Sequence, residues 1–438
     1  MPGSRTDYYL PGEECLDYAG LRALQRQKLS AMLGEVLSGN RFYRDKFAGV
    51  QFDAINDPIN ILPLTTRTEL EADQSAYPPF GRNLTYPIDQ YCRFHQTSGT
   101  GGHAMRWLDT GESWAWFRKI WGIIFTSAGV GRGDRILYAF SFGPFVGFWG
   151  AFEGASAVGA LCLPGGGLPT SARLKMLLEN QATVVCCTPT YALHMAEAAA
   201  AEGIDLTRSS VKSIIVAGEP GGSIPATRQR IESAWGARVV DHTGMTEMGP
   251  VTFECASRRG QGVHVIESEF IAEVMDPVTT TPIPDGQLGE LVLTNLGRWG
   301  SPLIRYRTGD QVRLTRGLCE CGRSYAFLEG GIVGRTDEMF IVRGNNVFPT
   351  AVEAVIRRFV EVAEFRCTIL EDGALTQVRV EVEPAPACVD DKSLAHRVGN
   401  ALQEALHFRA EVALVEAGKL PRFELKGRRF VRVKDSSS

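Results

Sequence analysis

Between about residues 110 and 240 the chain alternates two patterns. Stretches with apolar residues three and four apart predict helices over 113–128, 174–180, 191–201 and 225–235. Short, almost wholly apolar runs predict strands over 134–140, 183–188, 211–217 and 237–240. Strands separated by helices of this length are not hairpins; they imply parallel βαβ units. Upstream, residues 15–50 read as helices, with Leu29, Met32, Leu33, Val36 and Leu37 spaced for one apolar face. From 262 the character changes. The β-rich runs 263–274, 289–294 and 311–314, joined by turns such as Pro284-Asp285-Gly286, suggest a distorted antiparallel barrel closing the large domain. Beyond Arg335 the order is strand, helix, strand, strand, helix, strand, over 339–343, 351–359, 364–371, 377–383, 390–406 and 410–415. The expected fold class is therefore α/β, with a large domain over 1–334 and a small α+β domain over 335–438.

At 438 residues, two or three domains are expected, and 44% apolar content is enough to build their cores. With 46 basic against 50 acidic residues, bulk charge points to neither nucleic acid nor a membrane surface. The segment 136–164 is the most apolar, but glycines and Glu153 interrupt it, so it reads as core and pocket wall and not as a membrane span. Residues 1–5 lack the apolar run of a signal peptide, and ten scattered cysteines, among them Cys186, Cys187 and Cys367 in apolar strands, suit reduced thiols. A cytoplasmic enzyme is the expectation.

The segment His95-Gln96-Thr97-Ser98-Gly99-Thr100-Gly101-Gly102-His103 is too rich in glycine and hydroxyls for a helix or strand, yet it could wrap an anion with N–H and hydroxyl donors. It is not a nucleoside-triphosphatase P-loop, because no lysine follows Gly102. Taken alone it could equally be a flexible turn. Further segments follow in order: Gly218-Glu219-Pro220-Gly221-Gly222 and Asp241-His242-Thr243-Gly244-Met245-Thr246-Glu247, each after an apolar run. Then come Tyr306-Arg307-Thr308-Gly309-Asp310, Gly334-Arg335-Thr336-Asp337-Glu338-Met339, Val342-Arg343-Gly344-Asn345-Asn346-Val347-Phe348-Pro349 and Pro421-Arg422-Phe423-Glu424-Leu425-Lys426.

This ordered set resembles the adenylate-forming (acyl-CoA synthetase) superfamily, most closely its phenylacetate–CoA ligase branch, from about Tyr91 to the C-terminus. The resemblance implies an acid–thiol ligase: carboxylate attack on the ATP α-phosphate makes an acyl-AMP, and coenzyme A then takes the acyl group. It implies that Ser98, Gly99, Thr100, Gly101 and Gly102 hold the β- and γ-phosphates, with Arg106 in place of the usual lysine. Glu247 would bind Mg²⁺ and Thr246 would touch the α-phosphate, although a Thr-Glu pair also serves as a helix cap. Gly218, Glu219 and Pro220 would line the adenine slot, together with Asp241, His242 and Thr243. Asp310 would grip the ribose hydroxyls with Arg335 beside it; the alternative makes Asp310 a turn residue after Gly309. Thr243 stands where the family commonly has tyrosine, so adenine stacking must come from elsewhere. His242 is either a substitute, a contact to the acid, or a satisfied core histidine. Lys426 would bridge the incoming carboxylate and the α-phosphate, favoured over Lys419 and Lys434 only by its spacing from Pro421. Asp337 would be the hinge of the small domain, unless it is an ordinary surface acid, and rotation there would bring the loop from Gly344 to the pantetheine tunnel.

Cys319-Glu320-Cys321-Gly322 with Cys255 and His264 makes a tetrahedral set for structural Zn²⁺; the alternative is unrelated reduced cysteines on a turn. The ring-dense segment 140–149 matches the region that forms one wall of the family's acyl pocket, with Ser141, Phe142, Phe145 and Phe148 from it and His242, Gly244 and Met245 opposite. Plain core would look the same. The expected partners are a small aromatic acid of anthranilate, benzoate or phenylacetate type, ATP and coenzyme A, without nucleic acid or membrane, and a homodimer is admissible. Two alternatives stay open: transfer to a carrier-protein pantetheine, and a non-catalytic zinc-stapled scaffold.

Overall fold

The computed structural model describes residues 8–97, 104–140, 142–342, 345–372, 375–386, 388, 390–423 and 427–434. Its centre is a five-stranded parallel sheet in the order Leu161–Pro164, Arg135–Tyr138, Val184–Cys187, Ser213–Val216, Arg238–Asp241. Side chains alternate between two cores, as the two-residue period of a strand demands. Ile136, Tyr138, Val184, Cys186, Ile215 and Val240 enter one core, and Leu137, Val185, Cys187, Ile214, Val216 and Val239 the other. Cover on both faces explains why these runs read as continuously apolar. The helices Gly111–Ser127, Thr170–Glu179, Pro189–Ala201 and Pro225–Trp235 lie where the periodicity predicts, with ends moved by a few residues.

Two elements of this layer escape the pattern: the edge strand Leu161–Pro164 and the helix Val146–Ala155. The helix carries glycines because it crosses Gly111–Ser127 closely. A Cβ on Gly154 would stand 2.3 Å from Trp121 Cβ, and one on Gly150 2.9 Å from Trp121 Nε1. Glycine here permits contact and does not break the helix.

The long N-terminal helix Tyr18–Gly39 buries Leu29, Met32, Leu33 and Val36 as predicted, but Leu37 falls off the stripe and is exposed. Gln25 pins this helix by donating to the carbonyls of Glu267 and Phe270, both at 2.8 Å. The antiparallel layer has seven strands. Six pair in the order Thr252–Phe253, Gly262–Val265, Phe327–Glu329, Tyr306–Thr315, Leu288–Asn295, Phe270–Met275, and Gly334–Arg335 pairs on Tyr306–Thr315. The predicted continuous run 263–274 is thus two strands. Between them Glu267, Ser268 and Glu269 turn while buried, because Lys28, Lys119 and Trp116 Nε1 meet Glu269 and the Ala326 N–H meets Glu267.

The C-terminal residues form their own core from Phe340, Val352, Phe365, Val380, Leu394 and Leu402, among others. The sheet order there is Glu411–Leu414, Leu375–Pro384, Val362–Asp372, Phe430–Lys434, with helices Pro349–Ile356 and Asp391–Leu406. The last strand was not predicted; its five residues sit at a sheet edge, two of them Arg432 and Lys434, with Val431 and Val433 exposed. No helix among the described residues is long and apolar enough to cross a membrane.

Candidate active site

The order of the parallel strands reverses between Arg135–Tyr138 and Val184–Cys187, and in such sheets ligands bind in the crevice beyond the carboxyl ends. Those ends carry Phe140, Thr188, Gly218-Glu219 and His242. The two predicted turns after strands therefore share one rim.

On that rim Asp241 and His242 are buried. Burial pushes the Asp241 carboxyl up to about 7, Glu254 adding to the effect and Arg228 opposing it. Glu254 is itself fixed, pairing through both oxygens with Arg228 and accepting the Asp241 N–H at 2.9 Å and the Gly260 N–H at 3.0 Å. A Cβ on Gly222 would lie 2.5 Å from Asp241 Cγ, so the carboxyl rests directly on bare backbone. Burial holds the His242 imidazole down to about 4, hence neutral near pH 7. Its ring meets Trp121 edge-on at 4.8 Å, and its buried Nδ1 has no hydrogen-bond partner among the described residues. Thr243 is tied by its N–H and its hydroxyl to Thr252 Oγ1, at 2.7 and 3.0 Å. A tight ladder follows, Gly244–Met245 on Gly249–Pro250, in which a Cβ on Gly244 would meet Gly249 O at 2.7 Å.

Thr246 and Glu247 are held from behind by a residue that the motifs do not contain. Arg298, fully buried, donates through Nη1 to the carbonyls of Thr246 and Glu247 at 2.9 and 2.7 Å. Its other nitrogens grip Asp109 at 2.6 and 2.9 Å. His95 Nδ1 lies 3.5 Å from the same carboxylate, whose pKa burial would raise but Arg298 and His95 bring down overall. One buried cation thus joins the strand Arg106–Thr110, which carries Asp109 and pairs with Tyr91–Gln96, to the Glu247 turn. The Glu247 carboxylate itself stands 3.2 Å from Arg67 Nη1.

Asp310 sits inside the strand Tyr306–Thr315, registered opposite Arg335, which removes its reading as a turn residue. Arg335 bridges it to Asp337: Nη1 donates to Asp310 at 3.1 Å, while Nε and Nη2 donate to Asp337 at 2.9 and 3.1 Å. Burial pushes Asp310 up to about 6 against the pull of Arg335, with Asp337 and Glu247 adding to the rise. Gly218 and Pro220 are exposed at the end of their strand, while the Glu219 carboxylate accepts the N–H groups of Thr190 and Gly427 at 2.8 and 2.6 Å. Phe142 packs on Trp149 and Phe152 at 5.0 and 5.4 Å and faces Gly166; Phe145 lies against Gly143. The Arg106 guanidinium, expected to serve phosphate, turns instead to the Pro79 carbonyl at 2.8 Å. Ser98, Gly99, Thr100, Gly101, Gly102, Ser141, Gly344 and Lys426 lie outside the described residues, as does the Phe148 side chain.

Away from the crevice, the donor atoms of Cys255, His264, Cys319 and Cys321 lie within 4.8 Å of one another. Cys255 Sγ and Cys319 Sγ are 3.9 Å apart, and Cys321 Sγ and His264 Nε2 3.7 Å. His264 Nδ1 faces the Tyr325 carbonyl at 3.2 Å, which selects the tautomer with Nε2 free to ligate.

Residues 87–297 match the model of the AMP-binding enzyme family, and residues 344–434 that of the AMP-binding enzyme C-terminal domain. The phenylacetate–coenzyme A ligase of Thermus thermophilus is 31% identical over 98% of this chain and 99% of its own length. That of Escherichia coli is 30% identical over 93% of each chain. The chain belongs to the phenylacetate–CoA ligase branch of the adenylate-forming superfamily. It is accordingly an AMP-forming acid–CoA ligase, with ATP and coenzyme A as substrates, and the reading as a non-catalytic scaffold is not supported. A 2-hydroxyisobutyryl-CoA ligase in its postadenylation state, 28% identical, superposes with a TM-score of 0.93 over 99% of this chain and 94% of its own. The same enzyme in its thioesterification state superposes at only 0.74, although the coverage is the same. The two lobes therefore stand here as in the postadenylation arrangement.

Proposed function

We propose that this ligase activates an aromatic acid of the anthranilate, benzoate or phenylacetate type and passes it to free coenzyme A. The observation that carries the aromatic reading is the ring-lined wall of Phe140, Phe142, Trp149 and Phe152, together with a neutral, buried His242 that meets Trp121, the ring on which Gly150 and Gly154 of the Trp149 helix pack, and whose Nδ1 has no partner among the described residues. A flat acid would stack on the former, and a carboxylate or ring substituent would meet the latter.

In this reading residues 1–334 bind the substrates and residues 335–438 form the lid. Ser98 to Gly102 cradle the β- and γ-phosphates, and Thr246 meets the α-phosphate. The backbone of Gly218, Glu219 and Pro220 forms the adenine slot with Asp241, His242 and Thr243, Asp241 accepting from the base. Asp310 accepts both ribose hydroxyls, and Arg335 steadies it. Ser141, Phe142, Phe145, Phe148, Gly244 and Met245 bound the acyl pocket. Lys426 neutralises charge between carboxylate and α-phosphate as the acyl–phosphate bond forms and pyrophosphate leaves. Asp337 is then the hinge, and Gly344 opens the loop that meets the pantetheine arm. The Glu247 carboxylate suits Mg²⁺, which would draw its remaining oxygens from phosphate and water.

The cysteine cluster suits a structural Zn²⁺. Zn–S bonds of about 2.3 Å make a tetrahedron with edges of about 3.8 Å, close to the 3.9 Å between Cys255 and Cys319 and the 3.7 Å between Cys321 and His264, and all four donors lie within 4.8 Å of one another. The ion would fix the turn preceding Arg323, which is buried against Glu14 at 2.5 Å and so ties down the helix Pro11–Glu14. Metal analysis should find about one zinc per chain, absent from Cys319→Ser together with a lowered Tm; a zinc-free protein of undiminished Tm would refute this.

The activity test is CoA-dependent AMP release across a panel of acids, beginning with anthranilate and benzoate. The expected outcome is that an aromatic acid exceeds acetate and 2-hydroxyisobutyrate by at least about tenfold in kcat/KM. Aliphatic acids leading the panel would end the aromatic reading, and AMP release only with a carrier protein would replace coenzyme A as acceptor.

A further inference from the structure

We propose that the Glu219 side chain is a latch that holds the small lobe in the postadenylation arrangement through the Gly427 N–H. The inference rests on the assignment of Lys426 as the adenylating lysine. Glu219 lies beyond the carboxyl end of Ser213–Val216, and its two oxygens bind opposite lobes. Oε1 accepts the N–H of Thr190, in the first turn of Pro189–Ala201, at 2.8 Å, and Oε2 accepts the N–H of Gly427 at 2.6 Å. Both are charge-assisted bonds, and the helix N-terminus favours the anion.

Arg429 makes the reciprocal contact. Its Nη1 donates to Thr190 Oγ1 at 3.1 Å, while Nε and Nη2 hold Glu364 at 2.7 and 2.9 Å within the small lobe. Thr190 is therefore grasped through its N–H by Glu219 and through its hydroxyl by Arg429. The family relative supplies the other half of the argument: its two states differ in lobe arrangement, 0.93 against 0.74 in TM-score to this chain. A bond between Glu219 and Gly427 belongs to the first arrangement and has to break for the second. Glu219 is thus a positioning residue, its backbone bordering the adenine slot while its side chain holds the lid.

The test is Glu219→Gln in the full chain, which keeps the size but offers one acceptor oxygen and turns an amide NH₂ toward the other N–H. Acid-dependent ATP–pyrophosphate exchange should slow about tenfold or more in kcat with KM for ATP within twofold, while thioester formation from supplied acyl-AMP and CoA stays near the parent rate. Equal loss in both half-reactions, or a change confined to KM for ATP, overturns the latch. Lys426→Ala separates the two ideas: exchange lost there but kept in Glu219→Gln removes the latch and leaves the lysine assignment standing. Exchange kept in Lys426→Ala removes the lysine assignment, and the latch is then decided by hydrogen exchange. Amides 427–434 should lose protection in Glu219→Gln if the latch is right and be unchanged if it is wrong. Should the glutamine variant fold poorly, Glu219→Asp, with the charge kept and the reach shortened, is expected to show the same split between half-reactions; no split there overturns the latch.

Discussion

The floor of the nucleotide crevice and the seam between its two lobes are built from the same residue types in opposite ways. Under the floor, Arg298 and Asp109 are fully buried, locked bidentate, and aimed at the backbone of Thr246 and Glu247. Across the seam, among the described residues, single hydrogen bonds and one wide ion pair replace that bidentate lock: Glu219 to Gly427 and Arg230 Nη1 to the Val362 carbonyl at 3.1 Å are half-buried, Arg422 to Glu197 at 3.5 Å is partly exposed, and Arg429 to Thr190 is buried. A buried pair is costly to break because it strands an uncompensated charge, whereas half-exposed pairs exchange readily with water. The difference matches what an adenylate-forming enzyme has to do twice. On the proposed assignment the floor must not move between half-reactions, and the lid must.

The strongest test removes the floor's cation. Arg298→Met leaves Asp109 charged and dry, which should destabilise the protein by about 3–5 kcal/mol. It also frees the two carbonyls that Arg298 holds, and a shift of about 1 Å there should cost roughly 10²-fold in acyl-AMP formation. Thermal melting and ATP–pyrophosphate exchange check both. A variant with parental Tm and exchange would mean that the floor is no more rigid than the seam, and the contrast would collapse.

Arg298 also shows where sequence reasoning stops. The parallel strands were legible because burial on both faces writes an unbroken apolar run, and the crevice followed because glycine turns fell at the strand ends. Arg298 carries no such mark: it lies between Gly297 and Trp299 and finds Asp109 only after a separation of 189 positions. What places it is Gly297, where a Cβ would strike Trp116 at 2.1 Å, a packing fact without a local pattern. The helix Val146–Ala155 stayed hidden for a related reason, since its glycines serve Trp121 across an interface. The ion pair of Arg67 with Glu247 likewise depends on tertiary proximity alone.

A second experiment acts on the seam. Asp337→Pro fixes φ within the turn where the Met339 N–H reaches the Arg335 carbonyl at 3.1 Å. If this turn is the hinge, exchange should stay within about threefold of the parent while thioester formation from acyl-AMP falls about tenfold or more. Loss of exchange instead would place Asp337 with the floor, as part of the ribose site through Arg335, and would move the boundary between the two regions.

The smallest expected effect lies where floor and seam meet, at Asp310, and its sign is informative. Burial raises this carboxyl to about 6, so the folded protein binds its proton more tightly than the unfolded chain does. Acidification from pH 7 toward 5 therefore adds stability through this group, while, on the proposed ribose role, it removes an acceptor from the hydroxyls. KM for ATP should rise by roughly tenfold at pH 5, with no fall in Tm attributable to Asp310. Asp310→Asn should erase the step near pH 6 and leave any step near pH 7 from Asp241, which burial raises to about 7. If KM and Tm instead deteriorate together, and the asparagine variant keeps the step, the acid loss comes from ion pairs breaking across the seam, and Asp310 belongs to the lid's anchorage more than to the nucleotide floor.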